Sequence, residues 1–108
     1  MSVGIVGGSV SPSTAYITNA QTGTTYTIVM SDSNNTMVEL NNASAITVTV
    51  PTNATTAFPV GSQVNLLQTG AGGVTVTGTG TKLRTQYSAT ALVKTGTDSW
   101  TLIGDLSA

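Results

Sequence analysis

Residues 45–51, with the sequence AITVTVP, carry the clearest structural signal in this chain of 108 residues. Ile46, Val48 and Val50 alternate with smaller or more polar residues, and a period of two is typical of a β-strand with one buried face. Thr and Val also favour strands, because their branched side chains pack well on a pleated surface. Pro51 cannot donate to a hydrogen-bonded ladder. The segment therefore predicts a half-buried strand that ends at Pro51.

The same alternation recurs along most of the chain. Further strands are predicted at residues 24–30, 36–40, 63–68, 74–77, 85–95 and 100–103. Clusters of Gly, Asn, Asp and Ser separate them, and these residues favour turns. No segment shows the 3.6-residue period of an amphipathic helix. Short strands at this spacing predict an all-β fold, specifically a small antiparallel β-sandwich or barrel.

The amino-terminal residues differ from the rest of the chain. Residues 1–14 combine Gly, Ser, Val and Pro in irregular order, which predicts an extended arm or, alternatively, a frayed terminus. The apolar residues of this arm are Val3, Ile5, Val6 and Val10. Residues 15–108 contain no linker and no change in composition, so a single β-domain is predicted there.

Few side chains are large enough to anchor a core. Phe58, Tyr87 and Trp100 are the predicted core anchors, because aromatic residues contribute most to apolar burial. Tyr87 and Trp100 could alternatively form a platform for a sugar ring. A small core predicts modest stability for an isolated monomer and favours a subunit that identical neighbours complete.

The chain lacks the side chains on which most protein chemistry depends. It has no His, no Cys, three basic and four acidic residues, whereas 22 positions are Thr. General acid–base catalysis needs a group that titrates near neutral pH, and many metal sites use His or Cys. We therefore predict that the protein is not an enzyme and has no catalytic residue, metal site or cofactor.

The acidic residues fit structural positions. Asp32 and Asp98 fall in predicted turns, where an aspartate usually accepts hydrogen bonds from backbone amides. Glu39 alternates with apolar neighbours and should face solvent. Residues 32–35 lack the spaced acids of a calcium loop, and residues 78–82 lack the Gly-Lys-Ser/Thr ending of a phosphate loop. Both segments are therefore interpreted as turns.

Partners that bind through charge are not expected. The basic residues are Lys82, Arg84 and Lys94, and three charges cannot form the basic surface that nucleic acid requires. No apolar run approaches the roughly 20 residues that cross a bilayer, so no membrane association is predicted. The first residues lack the basic start and apolar stretch of a secretory signal, which favours synthesis in the cytoplasm.

Four segments in this order resemble a β-rich module of tailed-bacteriophage virion proteins. The segments are residues 41–51, 58–72, 86–94 and 98–106, and the similarity covers roughly residues 24–106. Such modules occur in capsid decoration and head-fibre proteins and in minor tail and fibre proteins. The resemblance implies a virion structural protein without catalysis, often a homotrimer, and it carries over no active-site residue.

The resemblance, together with the short chain and its arm, favours a capsid decoration (cement) protein. Such a protein would bind the outer surface of the capsid shell through interfaces with the major capsid protein. The arm would contact the capsid through its apolar residues, and the β-domain would form an exposed knob. The alternative is a receptor- or carbohydrate-binding module of a tail fibre or head fibre, with a host-surface glycan as its partner. Both readings place the protein on the virion.

Overall fold

A computed structural model describes residues 16–77, 79 and 81–107, and in them it shows two five-stranded sheets. The strands are β1 (Ile17–Gln21), β2 (Thr25–Thr27), β3 (Thr36–Leu40), β4 (Ile46–Thr49), β5 (Gln63–Gln68), β6 (Val74–Val76), β7 (Thr81–Leu83), β8 (Ala89–Gly96), β9 (Ser99–Gly104) and β10 (Leu106–Ser107). A 3₁₀-helix at Met30–Ser33 lies between β2 and β3. The first sheet has the order β1-β3-β5-β8-β9 and the second the order β10-β7-β6-β4-β2. The predicted all-β sandwich is confirmed.

The first six strands alternate between the two sheets. β1, β3 and β5 belong to the first sheet, whereas β2, β4 and β6 belong to the second, so the chain crosses the sandwich at every connection from β1 to β6. Each pair of strands makes one coil. Successive coils stack in parallel, because β1 pairs with β3, β3 with β5, β2 with β4, and β4 with β6 in the same direction.

Antiparallel pairing, which the sequence predicted throughout, holds for only part of the molecule. The antiparallel pairs are β5–β8, β8–β9, β6–β7 and β7–β10. The physical reason lies in the connections. A strand that leaves a sheet and returns after crossing the sandwich runs parallel to its predecessor, whereas a tight hairpin reverses the chain. The structure therefore has two parts. Strands β1–β6 form three stacked coils with parallel pairing, and strands β7–β10 extend the two sheets by antiparallel pairing.

The core lies between the sheets and follows the predicted alternation. In β4 buried and exposed residues alternate strictly, with Ile46 and Val48 inside. The other fully buried apolar side chains include Val38, Leu40, Val64, Leu66, Val74, Val76 and Leu92. Burying each such side chain contributes about 1.5–3 kcal/mol. One continuous apolar cluster thus joins both sheets.

The core assignment is correct for Phe58 and wrong for Tyr87. Phe58 is buried, and Trp100 is half-buried against the core. Tyr87 is 71% exposed and has a positive φ of 68° in the turn before β8. The buried residues of β8 are Thr90, Leu92 and Lys94. The even-numbered residues of β8 therefore face the core, whereas the prediction placed Tyr87 and the odd-numbered residues there.

Several element boundaries also differ from the prediction. The strand predicted at 24–30 ends at Thr27, because the chain turns into the 3₁₀-helix at Met30. β1 and β7 were not predicted. The predicted arm, 1–14, with Val3, Ile5, Val6 and Val10, lies outside the described residues.

The turns of neighbouring coils stack closely. Gly72, between β5 and β6, donates its N–H to the carbonyl of Asn42, between β3 and β4, at 2.8 Å. A Cβ on Gly72 would lie 1.8 Å from the carbonyl oxygen of Ser44. Only glycine allows this approach of one coil to the next, so this residue holds the spacing between the second and third coils.

Candidate functional site

A buried amine is the least expected feature of the structure. Lys94 is 2% exposed, and its Nζ donates hydrogen bonds to Asn53 Oδ1 and to the carbonyl oxygen of Phe58, both at 2.6 Å. The amine also lies 5.9 Å from the centroid of the Trp100 ring, which is within the range of a cation–π contact. Neutral acceptors and an aromatic face therefore surround this charge.

The same cluster brings together two of the predicted core anchors. The rings of Phe58 and Trp100 meet edge to face, with centroids 5.3 Å apart and an interplanar angle of 85°. Asn53 links the cluster to the β8–β9 turn, because its backbone N–H donates to Asp98 Oδ1 at 2.7 Å. The long loop between β4 and β5 is thus tied to β8 and β9 through a chain of polar contacts.

A shallow cleft opens beside this cluster. Its volume is about 190 Å³, and Val50, Pro51, Thr52, Asp98 and Trp100 line it. The carboxylate of Asp98 is already engaged by the Asn53 amide. The cleft therefore combines the Trp100 side chain with small side chains, which can support contact with a ligand.

A second buried cluster surrounds a carboxylate. Asp32 is 2% exposed, and its Oδ1 accepts a hydrogen bond from Asn19 Nδ2 at 2.9 Å. Its Oδ2 accepts from the Tyr26 hydroxyl at 2.5 Å and from the backbone N–H of Val29 at 3.0 Å. The predicted role of Asp32 as an acceptor for a backbone amide is confirmed. The carboxylate joins β1 of the first sheet to β2 of the second.

Burial raises the pKa of the Tyr26 phenol, and its hydrogen bond to the Asp32 carboxylate raises it further. The phenol therefore stays protonated and keeps donating to Asp32. A tyrosine held in this way cannot serve as a general base at neutral pH.

Arg84 and Asp105 form an ion pair at the surface. Arg84 Nε and Nη2 donate to the two carboxylate oxygens of Asp105 at 2.6 and 3.0 Å, and the Ser88 hydroxyl also donates to Asp105. The hydrogen bond from Arg84 lowers the pKa of Asp105, and the one from Ser88 adds to the effect. The same hydrogen bond raises the pKa of Arg84. This pair fastens β10 to the segment before β8.

The acidic residues do not converge. Asp32, Asp98 and Asp105 each belong to a different contact network, and Glu39 lies on the outer side of β3. Among residues 16–77, 79 and 81–107, no group of three or more acidic side chains could hold a metal ion.

The two sheets present different outer sides. The first sheet shows half-buried or exposed apolar residues from four neighbouring strands. They are Met37, Leu67, Ala91, Val93 and Ile103. Tyr16 lies beside them, and its hydroxyl accepts a hydrogen bond from Asn65 Nδ2 at 3.3 Å. The outer side of the second sheet carries mostly threonine.

The sequence predicted that Phe58 and Trp100 belong to the core and that Asp98 lies in a turn. It did not predict the cluster around Lys94. The alternation in β8 could have indicated this cluster, because Lys94 lies on the same side of the strand as Thr90 and Leu92. A lysine is almost never fully buried without partners, and Asn53 and Phe58 are distant in sequence. Only the fold brings these acceptors to the amine.

No protein-family model, curated protein or solved structure matches this chain. Within the described residues, no helix has the length and apolar character needed to span a membrane.

Proposed function

We propose that this chain is a non-catalytic capsid decoration protein of a tailed bacteriophage. It binds the outer surface of the capsid shell, with the major capsid protein as its partner, and acts as a homotrimer through protein–protein interfaces. It is made in the host cytoplasm and becomes part of the virion. The resemblance of residues 24–106 to virion modules supports the phage assignment.

The observation that carries an assembly role is the apolar outer side of the first sheet. Leu67, Val93 and Ile103 lie on adjacent strands of this side, and Ile103 is 53% exposed. Ala91 pairs directly with Ile103 on this side, and exposed apolar side chains that lie together on a small protein favour contact with another protein. Both buried ionisable side chains, Asp32 and Lys94, are meanwhile committed to internal hydrogen bonds.

The capsid assignment is tested by co-sedimentation with phage capsids from which decoration proteins have been stripped. The full chain should pellet with capsids to saturation. Deletion of residues 1–12 should reduce this occupancy while the circular dichroism spectrum and melting temperature stay unchanged. Occupancy that survives the deletion would exclude the arm as the anchor, and no binding by the full chain would refute the decoration role.

The proposed homotrimer is tested by the solution mass of the chain at micromolar concentration. Ile103→Lys should shift the mass toward the monomer, because it places a charge on the apolar outer side of the first sheet. Thr49→Lys, on the other sheet, is the matched control and should leave the mass unchanged. A monomeric wild-type chain would contradict a preformed trimer.

A second candidate is a carbohydrate-binding module. The exposed ring of Tyr87 and the cleft beside Trp100 favour it, because aromatic faces are common platforms for sugar rings. Binding to a glycan array that Trp100→Ala or Tyr87→Ala abolishes, with the fold retained, would support this function. An array without saturable binding would remove it.

A further inference from the structure

The amine of Lys94 and the side-chain amide of Asn53 are in direct contact inside the protein. Lys94 Nζ lies 2.6 Å from Asn53 Oδ1, and a carbonyl bond is about 1.2 Å long, so Nζ lies within about 4 Å of Asn53 Cγ. Two atoms that are about 3–3.5 Å apart are already at the distance from which they react. The contact therefore places a nucleophilic nitrogen beside a carbonyl carbon.

The backbone fixes both partners in this position. On β8, the N–H of Lys94 donates to the Ser62 carbonyl at 2.9 Å, and the Lys94 carbonyl accepts from the Gly61 N–H at 2.8 Å. In the β4–β5 loop, the N–H of Asn53 donates to Asp98 Oδ1 at 2.7 Å. Reaction between groups held in this way needs little further loss of conformational freedom.

The surroundings of the amine favour a neutral product over a charge. Lys94 is 2% exposed, and within residues 16–77, 79 and 81–107 its Nζ forms no ion pair. Its other contacts are the Phe58 carbonyl at 2.6 Å and the ring of Trp100. A buried charge without an opposite charge carries a large desolvation cost. Conversion of the amine to an amide removes this cost.

We propose that Lys94 and Asn53 become joined by an isopeptide bond that the folded chain forms by itself. Lys94 Nζ releases one proton to solvent at the neighbouring cleft, which Thr52 and Asp98 line. The neutral amine attacks Asn53 Cγ, so that the Nζ–Cγ bond forms and the Cγ–Nδ2 bond breaks. A second Nζ proton passes to Nδ2, which leaves as ammonia and takes up the released proton to become ammonium. The balance requires no oxidant, reductant or cofactor.

The bond would fasten the β4–β5 loop to β8 covalently. It closes a segment between residues 41 positions apart, in a chain without cysteine and hence without a disulfide. A cross-link of this kind restricts the unfolded chain and thereby stabilises the folded one. The inference goes beyond the proposed capsid role and does not depend on it, because residues of this chain are its only reactants.

The intact mass of the purified full chain tests the bond directly. The wild-type chain should be lighter by one ammonia molecule than the mass calculated from its sequence. Lys94→Arg keeps the positive charge but removes the amine, so it should have its calculated mass. Lys82→Arg makes the same change at an exposed strand position and is the matched control, which should still lose ammonia.

Tryptic digestion of the unfolded chain locates the bond. Trypsin cleaves after Lys and Arg, which here are Lys82, Arg84 and Lys94, and acylation of Nζ blocks the cleavage after Lys94. The wild-type digest should therefore contain residues 1–82 joined to residues 85–108. Asn53→Ala should instead release 85–94 and 95–108 separately, and it serves as a second variant in case Lys94→Arg does not fold.

Circular dichroism establishes that each variant is folded. A folded wild-type chain at its full calculated mass, with complete cleavage after Lys94, would overturn the proposal. Loss of ammonia that persists in both Lys94→Arg and Asn53→Ala would also overturn it, because the ammonia would then come from another site. Capsid co-sedimentation is measured separately, so failure of one proposal leaves the other standing.

Discussion

The molecule buries two ionisable side chains of opposite charge, and it satisfies them in different ways. Asp32 receives its hydrogen bonds from Asn19, Tyr26 and Val29, all within 13 residues in the chain. Lys94 donates to Asn53 and Phe58, which precede it by 41 and 36 residues. Neither charge faces an opposite charge. The ion pair between Arg84 and Asp105 instead lies at the surface.

The difference shows how this small sandwich provides hydrogen-bond partners for its buried charges. A buried ion pair recovers its desolvation cost only with excellent geometry, whereas neutral donors and acceptors can be placed singly around one charge. The Asp32 cluster closes the first coil locally. The Lys94 cluster joins the long β4–β5 loop to the antiparallel half. The Asp32 cluster is thus a local brace between residues close in sequence, and the Lys94 cluster is a long-range brace.

The largest effect is expected from removing the carboxylate. Asp32→Ala leaves the Asn19 amide, the Tyr26 hydroxyl and the Val29 N–H without their acceptor, and it should destabilise the fold by about 3–5 kcal/mol. Urea unfolding followed by circular dichroism measures the loss. Glu39→Ala, on the outer side of β3, is the matched control and should change little. Equal losses in the two variants would show that Asp32 is not a brace.

A smaller effect is expected at the amine. Lys94→Met keeps the side-chain volume but leaves Asn53 Oδ1 and the Phe58 carbonyl unpaired, which should cost about 1–3 kcal/mol. The exposed Lys82→Met is the control, with no expected loss. Hydrogen exchange should show faster exchange in the β4–β5 loop of Lys94→Met. Unchanged exchange there would contradict the long-range brace.

The third effect depends on pH. Because the pKa of Tyr26 is raised in the folded state, its contribution is fully present below the unfolded pKa of about 10 and is lost as the pH rises from there toward the folded-state pKa. Tyr26→Phe should remove this part of the alkaline loss and cost about 1 kcal/mol at neutral pH. Unfolding in urea at pH 8 and above pH 10 measures it, with Tyr87→Phe as control. Identical alkaline profiles for wild type and Tyr26→Phe would exclude the mechanism.

The smallest effect is expected at the surface pair. Arg84→Gln removes the exposed ion pair with Asp105, and solvent and salt already screen it. Melting temperatures at low and high salt should differ little between wild type and variant. The lowered pKa of Asp105 predicts that any contribution is present at neutral pH and disappears as the pH falls. A large loss at neutral pH would mean that this pair braces β10 more strongly than its exposure suggests.

Local patterns were sufficient for much of this structure. Alternation at residues 45–51 predicted β4 and its two buried residues, because a strand with one buried face must repeat every two positions. The turn chemistry of Asp32 was equally local, and its bond to the Val29 amide follows from short-range geometry. Phe58 was recognised as core from its size and apolar character. The all-β class also followed from composition and period.

Tertiary structure decided what depends on residues far apart in sequence. The parallel stacking of coils, the inward parity of β8 that exposes Tyr87 and buries Lys94, and the alignment of Thr25 with Thr47 all depend on strand pairing. A period of two states that alternate residues share a face, but it does not state which face is buried or which strand lies beside it. Those choices are made when the whole core packs.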